Sequence, residues 1–69
     1  MRNLPVKSGL IECIYFSPED GQLHLRLRDG KVRVFAEVPE LEVQAMIEAP
    51  SPGHYYIDKI RNRYTRLAT

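Results

Sequence analysis

A single cysteine, Cys13, leaves the 69-residue chain without an internal disulfide. A lone thiol fits a reducing compartment or a small packed core residue. Tryptophan is missing and aromatics make up only 9% of the residues. No apolar run reaches the roughly 18 residues that mark a bilayer-spanning helix. The opening MRNLPVKSGLIE lacks the apolar stretch of a secretory leader. The chain is therefore expected to be cytoplasmic, with no membrane partner. Reactive clusters are equally scarce. Nucleophilic catalysis needs a Cys or Ser beside a His held by a third group, and Cys13 and His24 fall on separate predicted strands. A metal site needs three or four ligands at workable spacing, whereas Cys13, His24 and His54 are scattered. Gly21, Gly30 and Gly53 are isolated turn or cap residues and form no phosphate-binding loop. No enzyme activity, metal or cofactor is expected, and the reading turns to binding.

The length predicts one domain, with a core over about residues 8–64, a loose or weakly paired N-terminal arm and a basic C-terminal tail. A chain of this size buries a modest share of its surface and is marginal alone. Net charge is +1, which argues against a general nucleic-acid scavenger. The charges are nevertheless segregated. Residues 36–57 hold Glu37, Glu40, Glu42 and Glu48 and no Lys or Arg, whereas residues 58–69 hold Lys59, Arg61, Arg63 and Arg66 against Asp58 alone. Segregation of this kind suits a charge-complementary contact.

The clearest local signal is LHLRLRDGKVRVFAEVP, Leu23 to Pro39. Leu23, Leu25 and Leu27 alternate with His24, Arg26 and Arg28, the period of a half-buried strand. Asp29-Gly30 predicts a two-residue type I′ turn. That turn would set Leu27 opposite Val32, Arg26 opposite Arg33, Leu25 opposite Val34 and His24 opposite Phe35. The leucines, Val32, Val34 and Ala36 would then form the core face. His24, Arg26, Arg28, Lys31, Arg33 and Phe35 would form the other. Like charges facing each other weaken a sheet, so this face is expected to meet an anionic partner, with Phe35 as its aromatic anchor. The basic tail, Lys59, Arg61, Arg63 and Arg66, is a second candidate surface. The blander reading makes these cations a solvated face whose stems shield the sheet.

Upstream, Ser8 to Phe16 reads as a strand. Ile11, Ile14 and Phe16 share one face only if a bulge falls near Glu12-Cys13. Ser17 to Gln22 is a turn. Downstream, Pro39 suits the first position of a helix with Glu40 and Glu42 in its first turn. Val43, Met46 and Ile47 form its stripe, with Leu41 and Ala45 beside it, and the helix stops at Ala49-Pro50. The glutamates read as a solvated helix face. Ser51-Pro52 starts a second helix, Ser as N-cap and Pro at the first position. Tyr56, Ile60, Tyr64 and Leu67 form its apolar stripe, with Lys59, Arg63 and Arg66 on the solvent side. Tyr55 falls off the stripe. The fold expected is α+β: a three-stranded antiparallel meander with two short C-terminal helices packed on one face, β-β-β-α-α.

Ser8, Ile11, Ile14, Phe16, the leucine strand, Gly30, Phe35 before Val38-Pro39, Ala49, Ser51, Gly53, Tyr55-Tyr56, Ile60-Arg61 and Tyr64 stand in an order that resembles the KTSC domain. That short domain occurs at the C-terminus of some lysyl-tRNA synthetases and as a free-standing protein in bacteria and phages. The resemblance spans Ser8 to Tyr64. The family's aromatic-x-aromatic pair falls on Arg33 and Phe35, so one aromatic is replaced. The resemblance implies this α+β fold and binding related to nucleic acid, translation or transcription. Near-neutral charge, segregated acids and bases and the lack of a catalytic set favour a monomeric, phage-type transcription regulator docking on bacterial RNA polymerase. The alternative is an RNA- or single-stranded-DNA-binding module using the basic hairpin face and tail. A third possibility is an accessory domain of an enzyme with no activity of its own.

Overall fold

The computed structural model describes residues 1–67 of the chain. Five strands form one antiparallel sheet in chain order: β1 (Arg2–Leu4), β2 (Ile11–Ser17), β3 (Gln22–Leu27), β4 (Val32–Phe35) and β5 (Arg66–Leu67). Between β4 and β5 come α1 (Glu40–Glu48), α2 (Pro52–Tyr55) and a π-helical turn, Tyr56–Ile60, that continues α2. The expected meander is the centre of this sheet. The expectation of three strands is corrected, because the arm pairs with β2 and Arg66–Leu67 pairs with β4. Neither segment has a strand pattern of its own. Backbone groups offered by the neighbouring strands recruit them, and the ladder satisfies both sides.

The bulge expected near Glu12-Cys13 is present as a register shift between Ile11 and Cys13. It carries Ile11, Ile14 and Phe16 onto one face, at 0%, 0% and 2% exposure. They pack with Leu23, Leu25 and Phe35 from the sheet and with Val38, Val43, Met46, Tyr56 and Ile60 from the helical half. Each such side chain contributes about 1.5–3 kcal/mol when fully removed from water.

Ser51 caps α2 as expected: its Oγ accepts from the His54 backbone N–H at 3.4 Å, with Pro52 at the first position. Pro39 stands one place earlier than expected, as the N-cap of α1 in an extended conformation. Gly53 seats α2 against the loop before β2. A Cβ there would lie 2.9 Å from Leu10 Cβ and 3.2 Å from Ser8 Oγ. The Ser8 hydroxyl in turn accepts from the backbone N–H groups of Leu10 and Ile11 at 3.0 and 3.1 Å. Among the described residues, no helix is long and apolar enough to cross a membrane.

The hairpin between β3 and β4 departs from expectation by one residue. Leu27 N–H donates to the Lys31 carbonyl at 2.8 Å, and Gly30 N–H donates to the Leu27 carbonyl at 3.0 Å. The loop is thus Arg28-Asp29-Gly30, a turn followed by Gly30 at φ +93°, the three-residue solution for a hairpin. Asp29 stabilises it by accepting the Lys31 backbone N–H on its carboxylate at 2.9 Å. Leu23 now faces Phe35, His24 faces Val34, Leu25 faces Arg33 and Arg26 faces Val32. The expected pairing of Arg26 with Arg33 does not occur. Val32 and Val34 move to the face of Arg26 and His24, where Val32 is exposed and Val34 is covered.

Candidate functional site

A one-residue change of register exchanges the two faces of a strand, and here it divides the cations. Phe35, expected as an exposed anchor, is fully buried and meets Tyr56 edge-on, with ring centroids 5.9 Å apart. Arg33 comes with it to the helix-covered side, opposite Leu25. His24 and Arg26 remain on the outer face, opposite Tyr15 and Cys13 on β2. The His24 ring nitrogen Nε2 hydrogen-bonds the Gln22 side-chain oxygen at 2.8 Å. Arg28 is tied to the backbone: its Nε donates to the Ser8 carbonyl at 2.9 Å. The single basic face read from the sequence is therefore corrected to two smaller ones.

The tail divides in the same way. Lys59 is exposed. Arg63 lies 3.7 Å from a Glu42 carboxylate oxygen and 5.7 Å above the Tyr64 ring. Arg61 and Arg66 turn the other way and join Lys31 and Arg33 around a cleft of about 350 Å³. The π-helical turn contributes to this placement. Arg61 N–H donates to the Tyr56 carbonyl, five residues back, at 2.9 Å. The wider turn rotates the residues that follow away from the simple helical stripe. β5 then places Arg66 beside Phe35, at the edge of the sheet.

Leu10, Leu27, Ile57 and Tyr56 line the apolar part of the cleft. Among the described residues its one carboxylate is Asp29, 4.0 Å from the Lys31 ammonium. A pair at that distance, more than half exposed on both sides, contributes little. Arg33 donates to the neighbouring Val32 carbonyl at 3.2 Å and has no carboxylate partner among the described residues. Two acids of α1 are engaged elsewhere. Glu40 pairs with Arg2 at 3.4 Å. Glu42, expected on a solvated face, has a side chain only 13% exposed. It accepts hydrogen bonds from the hydroxyls of Tyr55 at 2.5 Å and Tyr64 at 2.9 Å. The Tyr55 hydrogen bond is the main reason its carboxyl is held below the ordinary carboxylate range. The same bond raises the Tyr55 phenol, while burial foremost raises that of Tyr64.

Lys31, Arg33, Arg61 and Arg66 were all legible as candidates, though as members of separate surfaces. Tyr56, Leu10 and Ile57 were not, since nothing local distinguishes a cleft residue from a core residue. Among the described residues, no group of His, Cys, Asp and Glu is placed to hold a metal ion. A second concavity, about 540 Å³, lies between the arm and the end of α1 and is lined by Pro5, Val6, Ile47, Ala49, Pro50 and Pro52, with Lys7 its one cation.

A comparison with curated proteins finds no match. Among solved structures, a crystal structure of a KTSC domain protein from Yersinia pestis superimposes with a TM-score of 0.88 at 24% identity, covering 99% of this chain and 96% of that one. That likeness shows the fold. The model of the KTSC domain family matches residues 7–64, and the chain belongs to that family.

Proposed function

We propose that the protein is a non-enzymatic binding module for RNA or single-stranded DNA, and that the cleft at the β4–β5 edge is where it engages the phosphates. One observation carries this reading: four cations from the hairpin, the helical turn and β5 line one concavity with a single carboxylate among its described residues. Cations left without carboxylates are costly to gather unless an anion completes the set. The apolar lining suits the faces of bases or sugars. The resemblance to a domain attached to some lysyl-tRNA synthetases points the same way.

Docking on RNA polymerase is the second reading. It is favoured by the proline-rich concavity beside α1 and by Leu41, which is 83% exposed on that helix. It loses ground because Phe35 is buried, and because Glu40 and Glu42 are spent on Arg2, the tyrosines and Arg63 rather than facing outward together.

Fluorescence anisotropy with a labelled single-stranded oligonucleotide, repeated across salt concentrations, separates the two. Saturable binding at physiological salt is expected. Arg33→Ala and Arg66→Ala should each weaken it for every sequence and lower the salt slope by about one. Absence of saturation, together with capture by purified RNA polymerase, would give the function to protein docking.

A further inference from the structure

The cleft has a feature that a general electrostatic surface does not need. Tyr56 is only 3% exposed, yet its hydroxyl makes no hydrogen bond within the described protein; the tyrosine hydroxyls that do are those of Tyr55 and Tyr64. Among the described residues no buried side-chain oxygen or nitrogen is left unsatisfied, so the small area Tyr56 retains includes its hydroxyl. The basic cleft is the concavity that Tyr56 lines. A largely buried phenol that keeps part of its hydroxyl exposed thus lines the same cleft as Lys31, Arg33, Arg61 and Arg66. A phenol costs free energy to desolvate unless it has a partner, and a phosphate oxygen is the acceptor these four cations would hold beside it.

The rest of the charge pattern indicates which phosphate. Binding within a long strand needs a groove that tracks the backbone over about 4–16 nucleotides. Several of the remaining cations are placed or engaged elsewhere. His24 and Arg26 are on the opposite face, Arg28 is bound to the Ser8 carbonyl, and Arg63 is held by Glu42. Lys31, Arg33, Arg61 and Arg66 share the one cleft instead. A terminal phosphomonoester carries about −1.5 to −2 at neutral pH and offers three oxygens, whereas an internal diester carries one charge. From this we propose that the cleft binds the phosphorylated end of a single-stranded nucleic acid. The terminal phosphate sits among Lys31, Arg33, Arg61 and Arg66 and accepts from the Tyr56 hydroxyl, and the terminal nucleoside lies on Leu10, Leu27 and Ile57. This rests on the nucleic-acid reading above and narrows it to strand ends.

The test uses the full chain and one oligonucleotide sequence in three forms: 5′-phosphorylated, 3′-phosphorylated, and hydroxyl at both ends. Free adenosine 5′-monophosphate is a fourth probe. One of the phosphorylated forms should bind about tenfold or more tightly than the hydroxyl-ended form, with a steeper salt slope. Arg33→Ala combined with Arg66→Ala should abolish the preference. Tyr56→Phe keeps the ring against Phe35 and should reduce the preference for the phosphorylated form severalfold at an unchanged melting temperature. Equal affinity for all three oligonucleotides would overturn end recognition and leave the nucleic-acid reading standing. Failure of every oligonucleotide to saturate, with or without binding of the free nucleotide, would overturn both.

Discussion

Glu42 occupies the first turn of α1, where the helix dipole favours a carboxylate, but its surroundings are two phenols and a guanidinium rather than water. It fastens the helical half together, joining α1 to Tyr55 at the end of α2 and to Tyr64 beyond the π-helical turn. The sign of its pH dependence follows from the direction of the shift. A carboxyl lowered in the folded state stabilises the fold above its unfolded pKa, about 4.3, and that contribution disappears as pH falls through the folded value. The raised phenols act in the opposite direction. Their contribution is complete below about pH 10 and is lost as pH rises through their folded values. Glu42→Gln should cost about 1–3 kcal/mol at neutral pH, the scale of hydrogen bonds to a charged acceptor. Melting temperatures of both proteins between pH 7 and pH 3 check this. The gap should narrow as the wild-type carboxyl protonates, and a constant gap would mean that the charge is not what matters.

At the scale of elements, one loop residue redistributes the hairpin's chemistry. A two-residue turn would have left Phe35 and Arg33 on the exposed face. The three-residue loop sends both to the helix-covered side, where one completes the core and the other borders the cleft. Gly30 makes this loop possible through its φ of +93°. A Cβ there meets nothing within 4 Å, so the penalty for substitution is conformational rather than steric crowding. Gly30→Val should therefore destabilise by about 1–2 kcal/mol. Because the loop also sets the register, the variant should weaken oligonucleotide binding as well. A chemical-denaturation midpoint equal to wild type would show that the loop can be rebuilt without a left-handed residue.

For the whole molecule, a small core leaves little margin. Leu25 is fully buried at the centre of the sheet, opposite Ile14 on one side and Arg33 on the other. Leu25→Ala should cost about 2–5 kcal/mol, a large part of the total stability of so short a domain. Thermal unfolding followed by circular dichroism measures it, and a near-wild-type melting temperature would contradict the central place of Leu25. The whole fold also decides which charges are available. Arg2 pairs with Glu40 and Arg63 with Glu42, whereas Lys31, Arg33, Arg61 and Arg66 share a cleft at the β4–β5 edge in a chain whose net charge is only +1.

The sequence by itself determined the elements whose signals are local. The leucine alternation of β3, the bulge that aligns Ile11 with Ile14 and Phe16, and the Ser51-Pro52 helix start each rest on neighbours within a few residues. The ordered set of residues from Ser8 to Tyr64 was enough to point to the family. Tertiary structure alone decided the edge strands, because Arg2–Leu4 and Arg66–Leu67 become strands only where another strand offers unpaired backbone groups. It decided the hairpin register, because Asp29-Gly30 is compatible with two loop lengths and the choice depends on whether Phe35 reaches Tyr56 and the core. It also decided the cleft. Arg33, Arg61 and Arg66 look like three solvated cations in the chain, and only the turn of the hairpin, the π-helical step and the return of β5 bring them to one cleft with Tyr56.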